Sequence, residues 1–245
     1  MNIAHELIDA AGRWPDGTAL LFNDQALSFG ELAQRAGRWQ DGLQRLGVKA
    51  GDRVAMLLPN GPEFSDGYYA TVALGAVFVP LDPVLKADEL AEILADLQPR
   101  LLVVANGSEA AAREALTVKD DTLALYTVAD VEQTGRPAPL APQTLNAVTT
   151  TAVVLYTSGT VGGPKGVMLS HDALTHSMTA MIDVLGIAPG DVYGLAVPMS
   201  HISGPMLLGT AMRSGMTLLL FDRFVPSRLL DEADRHGMTL AHIVP

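Results

Sequence analysis

Three small hydroxyl residues, Thr157, Ser158 and Thr160, stand among the glycines Gly159, Gly162 and Gly163, and after Pro164 come Lys165 and Gly166. That inventory suits an anion. Glycines allow positive φ, so successive backbone N–H groups can turn inward as a nest, and the hydroxyls add donors. Lys165 supplies a full positive charge just beyond a proline that restricts the exit of the loop. A polyphosphate is the ligand such a loop would hold. The same composition between two apolar runs also describes a plain surface turn, and on composition alone both readings stand.

The flanking residues predict how the loop is carried. Ala152 to Leu155 delivers the chain into it and Val167 to Leu169 leads away, which reads as strand, loop, strand. The Walker A loop, G-x-x-x-x-G-K-S/T, is the nearest generic motif, and there a helix starts directly after the lysine. Aligning Gly159 with its first glycine puts Pro164 where the second belongs and Gly166 where the hydroxyl belongs. The match fails twice.

Upstream, short apolar runs alternate with helical patterns. Ile3 to Ala11 reads as a helix and Ala19 to Phe22 as a strand; Ser28-Phe29-Gly30-Glu31 is a capping box opening a helix with Leu32, Ala36, Leu43 and Leu46 on one face, closed by Gly47. Strands are expected at Val54 to Leu58, Ala76 to Val79, Leu101 to Ala105 and Leu123 to Val128, with helices from Glu63, through Leu90, Ile93 and Leu97, and from Glu109 to Leu116. This alternation predicts an α/β fold with layered parallel or mixed sheets flanked by helices. Glu132 to Val148, rich in Pro, Thr, Gln and Ala, reads as a loop or linker. Past the glycine-rich loop, Ser170 is an N-cap, and Leu174, Met178, Met181, Ile182 and Leu185 form an apolar stripe, in which methionines are core rather than ligands. A strand from Val192 to Val197 runs into Pro198-Met199-Ser200-His201-Ile202-Ser203-Gly204; a helix from Ser227 to His236 and a strand from Leu240 to Val244 close the chain.

Composition narrows the partners. The 245 residues are 49% hydrophobic, enough for a substantial core, and carry a net charge of −11 with only 16 Lys and Arg, which argues against nucleic acid and anionic membranes. Cysteine is absent, so disulfides, thiolate metal sites and a cysteine nucleophile are excluded. With no signal-like start and no run of bilayer length, the chain reads as cytoplasmic, with no integral membrane contact. A serine hydrolase built on Ser200 or Ser203 with His201 would lack the G-x-S-x-G elbow.

The loop resembles the phosphate-loop signature of the AMP-forming adenylating enzymes, Thr-Ser-Gly-Thr-Ser/Thr-Gly-x-Pro-Lys-Gly: Thr157, Ser158, Gly159, Thr160, Gly162, Pro164, Lys165 and Gly166 match, and Val161 departs. Leu27 to Leu32, Leu74 to Pro83 and Pro198 to Gly204 resemble further motifs of the family, the last that of acyl- and aryl-CoA synthetases, with Ser200 replacing the usual aromatic. The resemblance implies binding of ATP with Mg2+, activation of a small-molecule carboxylic acid to an acyl-adenylate, and transfer to CoA. It implies that Thr157, Ser158, Gly159, Thr160, Gly162, Gly163 and Lys165 bind the nucleotide, and that Lys165 and His201 serve the reaction; no metal ligand is assigned within the chain. Ala196 to Met206 holds no acidic residue to pair with an amino-acid ammonium, so an uncharged tail is expected, fatty acyl first and aryl second. By the same resemblance, residues 1–245 form an incomplete N-terminal adenylation domain with two α/β halves, about 1–148 and 149–245, whose sheets interleave. The small C-terminal domain would be absent and the piece alone inactive. An edge left open could pair with a second copy as a homodimer. The alternatives are a non-catalytic nucleotide-binding fragment, an aryl-acid or amino-acid adenylating enzyme, and a plain scaffold.

Overall fold

The structure is a computed structural model that describes residues 1–117, 123–157 and 163–243. Helix α1 (His5–Arg13) leads into a hairpin of β1 (Thr18–Phe22) and β2 (Gln25–Ser28). The expected capping box opens α2 (Phe29–Arg45): the Glu31 N–H donates to Ser28 Oγ at 3.1 Å and the Ser28 N–H to Glu31 Oε2 at 2.8 Å. There follow β3 (Arg53–Leu57), α3 (Pro62–Ala73), β4 (Val77–Leu81), α4 (Ala87–Leu97), β5 (Leu101–Val104), α5 (Glu109–Thr117) and β6 (Ala124–Thr127).

Where a loop was expected, the chain first forms α6 (Val128–Thr134), so Val128 is helical rather than the end of a strand. Thr127 Oγ1 accepts from the Asp130 N–H at 3.1 Å, and the Thr127 N–H donates back to Asp130 Oδ2 at 2.8 Å. The residues that follow lie along α2 rather than swinging free. Arg38 donates to the carbonyls of Glu132 and Gly135, and Gln40 exchanges two hydrogen bonds with the backbone of Ala141, each 2.8 Å.

The second stretch comprises β7 (Thr151–Thr157), β8 (Lys165–Ser170), α7 (His171–Leu185), β9 (Val192–Leu195), α8 (Ser203–Ser214), β10 (Thr217–Leu220), α9 (Pro226–His236) and β11 (Leu240–His242). Ser170 caps α7 as expected, accepting from the Ala173 N–H at 3.2 Å. Leu174 and Met178 are buried, but Leu185 is 46% exposed, so the apolar stripe outruns the surface it covers.

Two sheets organise these strands. One runs β11-β9-β10-β1-β2, with Leu20 of β1 in parallel register with Leu218 of β10; the other runs β6-β5-β3-β4-β7-β8. Among the described residues, only β1–β2 and β7–β8 pair antiparallel. A division at Val148 therefore cuts both sheets out of sequence order, since the first draws strands from each end of the chain. Alternate residues of β3 and β5 explain the layering: Val54, Met56, Leu101 and Val103 face one core with α1, α2, α3, α7 and α8, while Ala55, Leu57, Leu102 and Val104 face another with α4 and α5. Leu218 and Leu220 join the first core, and Leu219 turns out to Leu229 of α9. Helix α3 is buried on every side except at Glu63, which is why it reads apolar all round. Asp66 within it is held by a bidentate Arg35 of α2, with contacts of 2.6–3.2 Å.

Candidate active site

The hairpin β7–β8 carries the glycine-rich loop. Its antiparallel register sets Thr157 directly opposite Lys165, so the last hydroxyl before the loop and the only lysine after it are cross-strand neighbours. Strand, not helix, begins at Lys165, which separates this loop from a Walker A arrangement. Ser158, Gly159, Thr160 and Gly162 lie outside the described residues. Gly163 has φ +86°, the left-handed backbone expected of a glycine in an anion nest.

A cleft of about 420 Å³ opens beside the hairpin. Its lining brings together Tyr156, Thr157, Gly163 and Pro164 from the hairpin, Pro80, Leu81 and Asp82 from the end of β4, Glu89 and Glu92 from α4, and Ser200 and His201 from the turn after β9. These are carboxyl ends of strands from both sheets, where α/β folds place ligands. Thr157, Gly163 and His201 thus share one cleft, whereas Lys165 stands exposed on the strand beside it and is not among the lining residues.

Each wall is fixed differently. Tyr156 donates its hydroxyl to Asp96 Oδ2 at 2.6 Å, fastening the hairpin to α4. Burial, and then this bond, push the Tyr156 hydroxyl above its ordinary range, so it remains a donor. At the far end of the hairpin, His171 is fully buried, and its Nδ1 accepts the Ile3 N–H at 3.1 Å. Burial, with the chain's amino terminus nearby, lowers the His171 pKa to about 4, so the ring is neutral and able to accept. Asp82 Oδ1 accepts the Val84 N–H at 3.0 Å, and Glu89 caps α4 by accepting the Lys86 N–H at 3.0 Å. With Glu92, these carboxylates make the α4 side of the cleft acidic, so an anion is drawn toward the hairpin.

Across the cleft, the His201 N–H donates to Pro198 O at 3.2 Å and the His201 carbonyl accepts the Gly204 N–H at 3.0 Å. A Cβ at Gly204 would lie 2.0 Å from Met199 O, so only glycine permits the turn to close. The imidazole of His201 is exposed at the rim, while Ser200 Oγ is buried and has no hydrogen-bond partner among the described residues. A second hollow of about 530 Å³ adjoins through Asp82, Val84 and Ser200 and is walled by Leu58, Pro59, Ala196, Val197, Phe224 and Ile243. Sequence reasoning missed Tyr156, Asp82 and Asn60, though a strand-end position marks the first two.

The model of a family described as AMP-binding enzyme matches residues 7–245. A feruloyl-CoA synthase from an Amycolatopsis species is 31% identical over 233 residues, 94% of this chain and 46% of its own length. Among solved structures, the inhibitor-bound N-terminal domain of FACL13 from Mycobacterium tuberculosis aligns with a TM-score of 0.91 at 25% identity, covering 100% of this chain and 63% of that one. The o-succinylbenzoate CoA synthetase of Bacillus subtilis, solved with ATP and a magnesium ion, gives 0.84 at 28% identity, over 96% of this chain and 62% of its own. The chain spans about half the length of the CoA ligases it matches. Two mixed sheets, a threonine–lysine hairpin at their edge and a match along almost the whole sequence lead to one conclusion: this chain belongs to the AMP-binding enzyme family.

Proposed function

We propose that the cleft is where the polyphosphate of ATP meets the carboxylate of a small acid, in an enzyme that forms an acyl-adenylate and pyrophosphate and passes the acyl group to the thiol of CoA. The observation that carries this reading is Thr157 in the cleft lining, its cross-strand neighbour Lys165 just beside that lining, and His201 in the same cleft. ATP supplies the activated phosphorus; the chain supplies position and charge. Thr157, Gly163 and the loop between Thr157 and Gly163 bind phosphate oxygens, and Lys165 offsets charge as pyrophosphate leaves. His201 and Ser200 orient the acid on the opposite side. Mg2+ would enter with the polyphosphate, whose oxygens are its preferred ligands.

The lack of an acidic residue from Ala196 to Met206 favours an acid with an uncharged body, and the adjoining hollow, mostly apolar, carries Asp82, Asp222 and Arg223 beside its apolar side chains. A fatty acid is our first assignment. An aromatic acid is the second, favoured by the feruloyl and o-succinylbenzoate names of two relatives. Among the described residues no helix is long and apolar enough to cross a membrane, and we assign the protein to the cytoplasm, where ATP and CoA are supplied. β8 ends its sheet with Val167 and Met168 outward, an edge on which a second copy could pair.

The test is acid-dependent exchange of labelled pyrophosphate into ATP, run on this chain and on the longest product of its gene with fatty and aromatic acids. Exchange that appears only with a carboxylic acid supports the reading and names the class. Absence of exchange from the longer product with every acid overturns it.

A further inference from the structure

Asn60 occupies the turn between β3 and α3, is 9% exposed, and makes three hydrogen bonds through its side chain. Its Nδ2 donates to Val197 O at 2.9 Å and to Phe221 O at 2.8 Å, and its Oδ1 accepts the Met199 N–H at 2.6 Å. The partners fix the orientation of the amide: two carbonyls require the donors and one N–H requires the acceptor, so a flipped amide would satisfy none of them. Asn60 stands at the end of a strand in one sheet, while its partners follow β9 and β10 in the other.

The placing of these bonds matters more than their number. Val197 and Met199 flank Pro198, which has no N–H of its own, so the chain is gripped on both sides of the proline just before the cleft. On the far side, the approach of Gly204 to Met199 O closes the turn. Ser200 and His201 lie between these two fixed points. We propose that Asn60 is a positioning residue for the adenylation site, its three-point clasp setting the height of His201 above the cleft; this rests on the functional reading above. A purely structural asparagine would instead lower stability and scale the rate by the folded fraction, whatever residue stood at position 201.

A double-mutant cycle on the full-length protein separates the two. Exchange is measured for Asn60→Ala, His201→Ala and both together, at a temperature where near-UV circular dichroism shows every variant folded. The clasp predicts a loss of about 10- to 100-fold for Asn60→Ala, the scale of a small misplacement, and less than about 2-fold further loss on the His201→Ala background. Losses that multiply overturn it. Should the alanine variant not fold, Asn60→Asp enters the same cycle: it keeps the acceptor for Met199 and the volume, and sets oxygen against the Val197 and Phe221 carbonyls. A second readout is independent of ligase chemistry. The histidine Cε1 NMR signal of His201, assigned by its loss in His201→Ala, is expected to shift or broaden in Asn60→Ala while those of His5 and His176 stay in place. An unmoved His201 signal overturns the clasp even where exchange falls. A displaced signal in a protein without exchange sustains the clasp and sinks the adenylation reading instead.

Discussion

The two walls of the cleft are built on opposite plans. The hairpin wall is local: Thr157 and Lys165 face each other across one loop, on the edge of a sheet, with Met168 of β8 72% exposed. The turn wall is assembled from a distance, gripped by Asn60 from 137 and 139 positions away and closed on a glycine that backbone crowding makes obligatory. In the proposed reading, charge would be handled on the exposed hairpin, where Lys165 stabilises the fold little. Alignment cannot be handled there, because an error of an ångström in a reacting group costs orders of magnitude in rate. Two buried hydrogen bonds from Asn60, at about 0.5–1.5 kcal/mol each, make the turn wall the stiffer side.

That contrast is sharpest at its two glycines. Gly204→Ala places a methyl group 2.0 Å from Met199 O and must displace the turn, so exchange should fall at least about 100-fold. Gly163→Ala meets open space and strains only the left-handed φ, so it should cost about 1–2 kcal/mol of loop conformation and a smaller loss of rate. Equal losses from the two would erase the distinction between the walls.

The hairpin wall has a pH limit of its own. His171, which follows β8, is held neutral with its pKa lowered to about 4, below the ordinary value of 6.5. The unfolded chain therefore binds the extra proton first. Its contribution to stability is complete above about pH 6.5 and is lost as pH falls toward 4, an effect on the order of 3 kcal/mol. Melting temperatures from pH 7 to 4 should fall more steeply for the wild type than for His171→Asn, whose side chain can still accept from Ile3; parallel curves would contradict this. The smallest effect is expected for Tyr156→Phe. Losing the bond to Asp96, a carboxylate that water can resolvate, should cost about 1 kcal/mol and change exchange less than about 5-fold.

Local chemistry explains what the sequence made legible. The box at Ser28, the cap at Ser170 and the strand–loop–strand around the glycines depend on residues within a few positions of one another. Helix α6 went unread because Thr127-Val128-Ala129-Asp130 carries aspartate where a capping box usually has glutamate, and Val128 extends the apolar run of β6. The parallel pairing of β1 with β10 has no local signature, since its partners lie 198 positions apart, Leu20 against Leu218. Asn60 was hidden for the same reason: Pro59-Asn60-Gly61-Pro62 spells a turn, and nothing near it announces three partners in another sheet.

The most direct test of an adenylation site between these walls is pyrophosphate exchange by the full-length protein and its Lys165→Ala variant, at saturating ATP and acid, alongside their melting temperatures. The account predicts an exchange rate lower by about 100-fold or more with a melting temperature unchanged, because an exposed lysine that neutralises a leaving anion acts on the transition state and not on the fold. An unchanged exchange rate would contradict it.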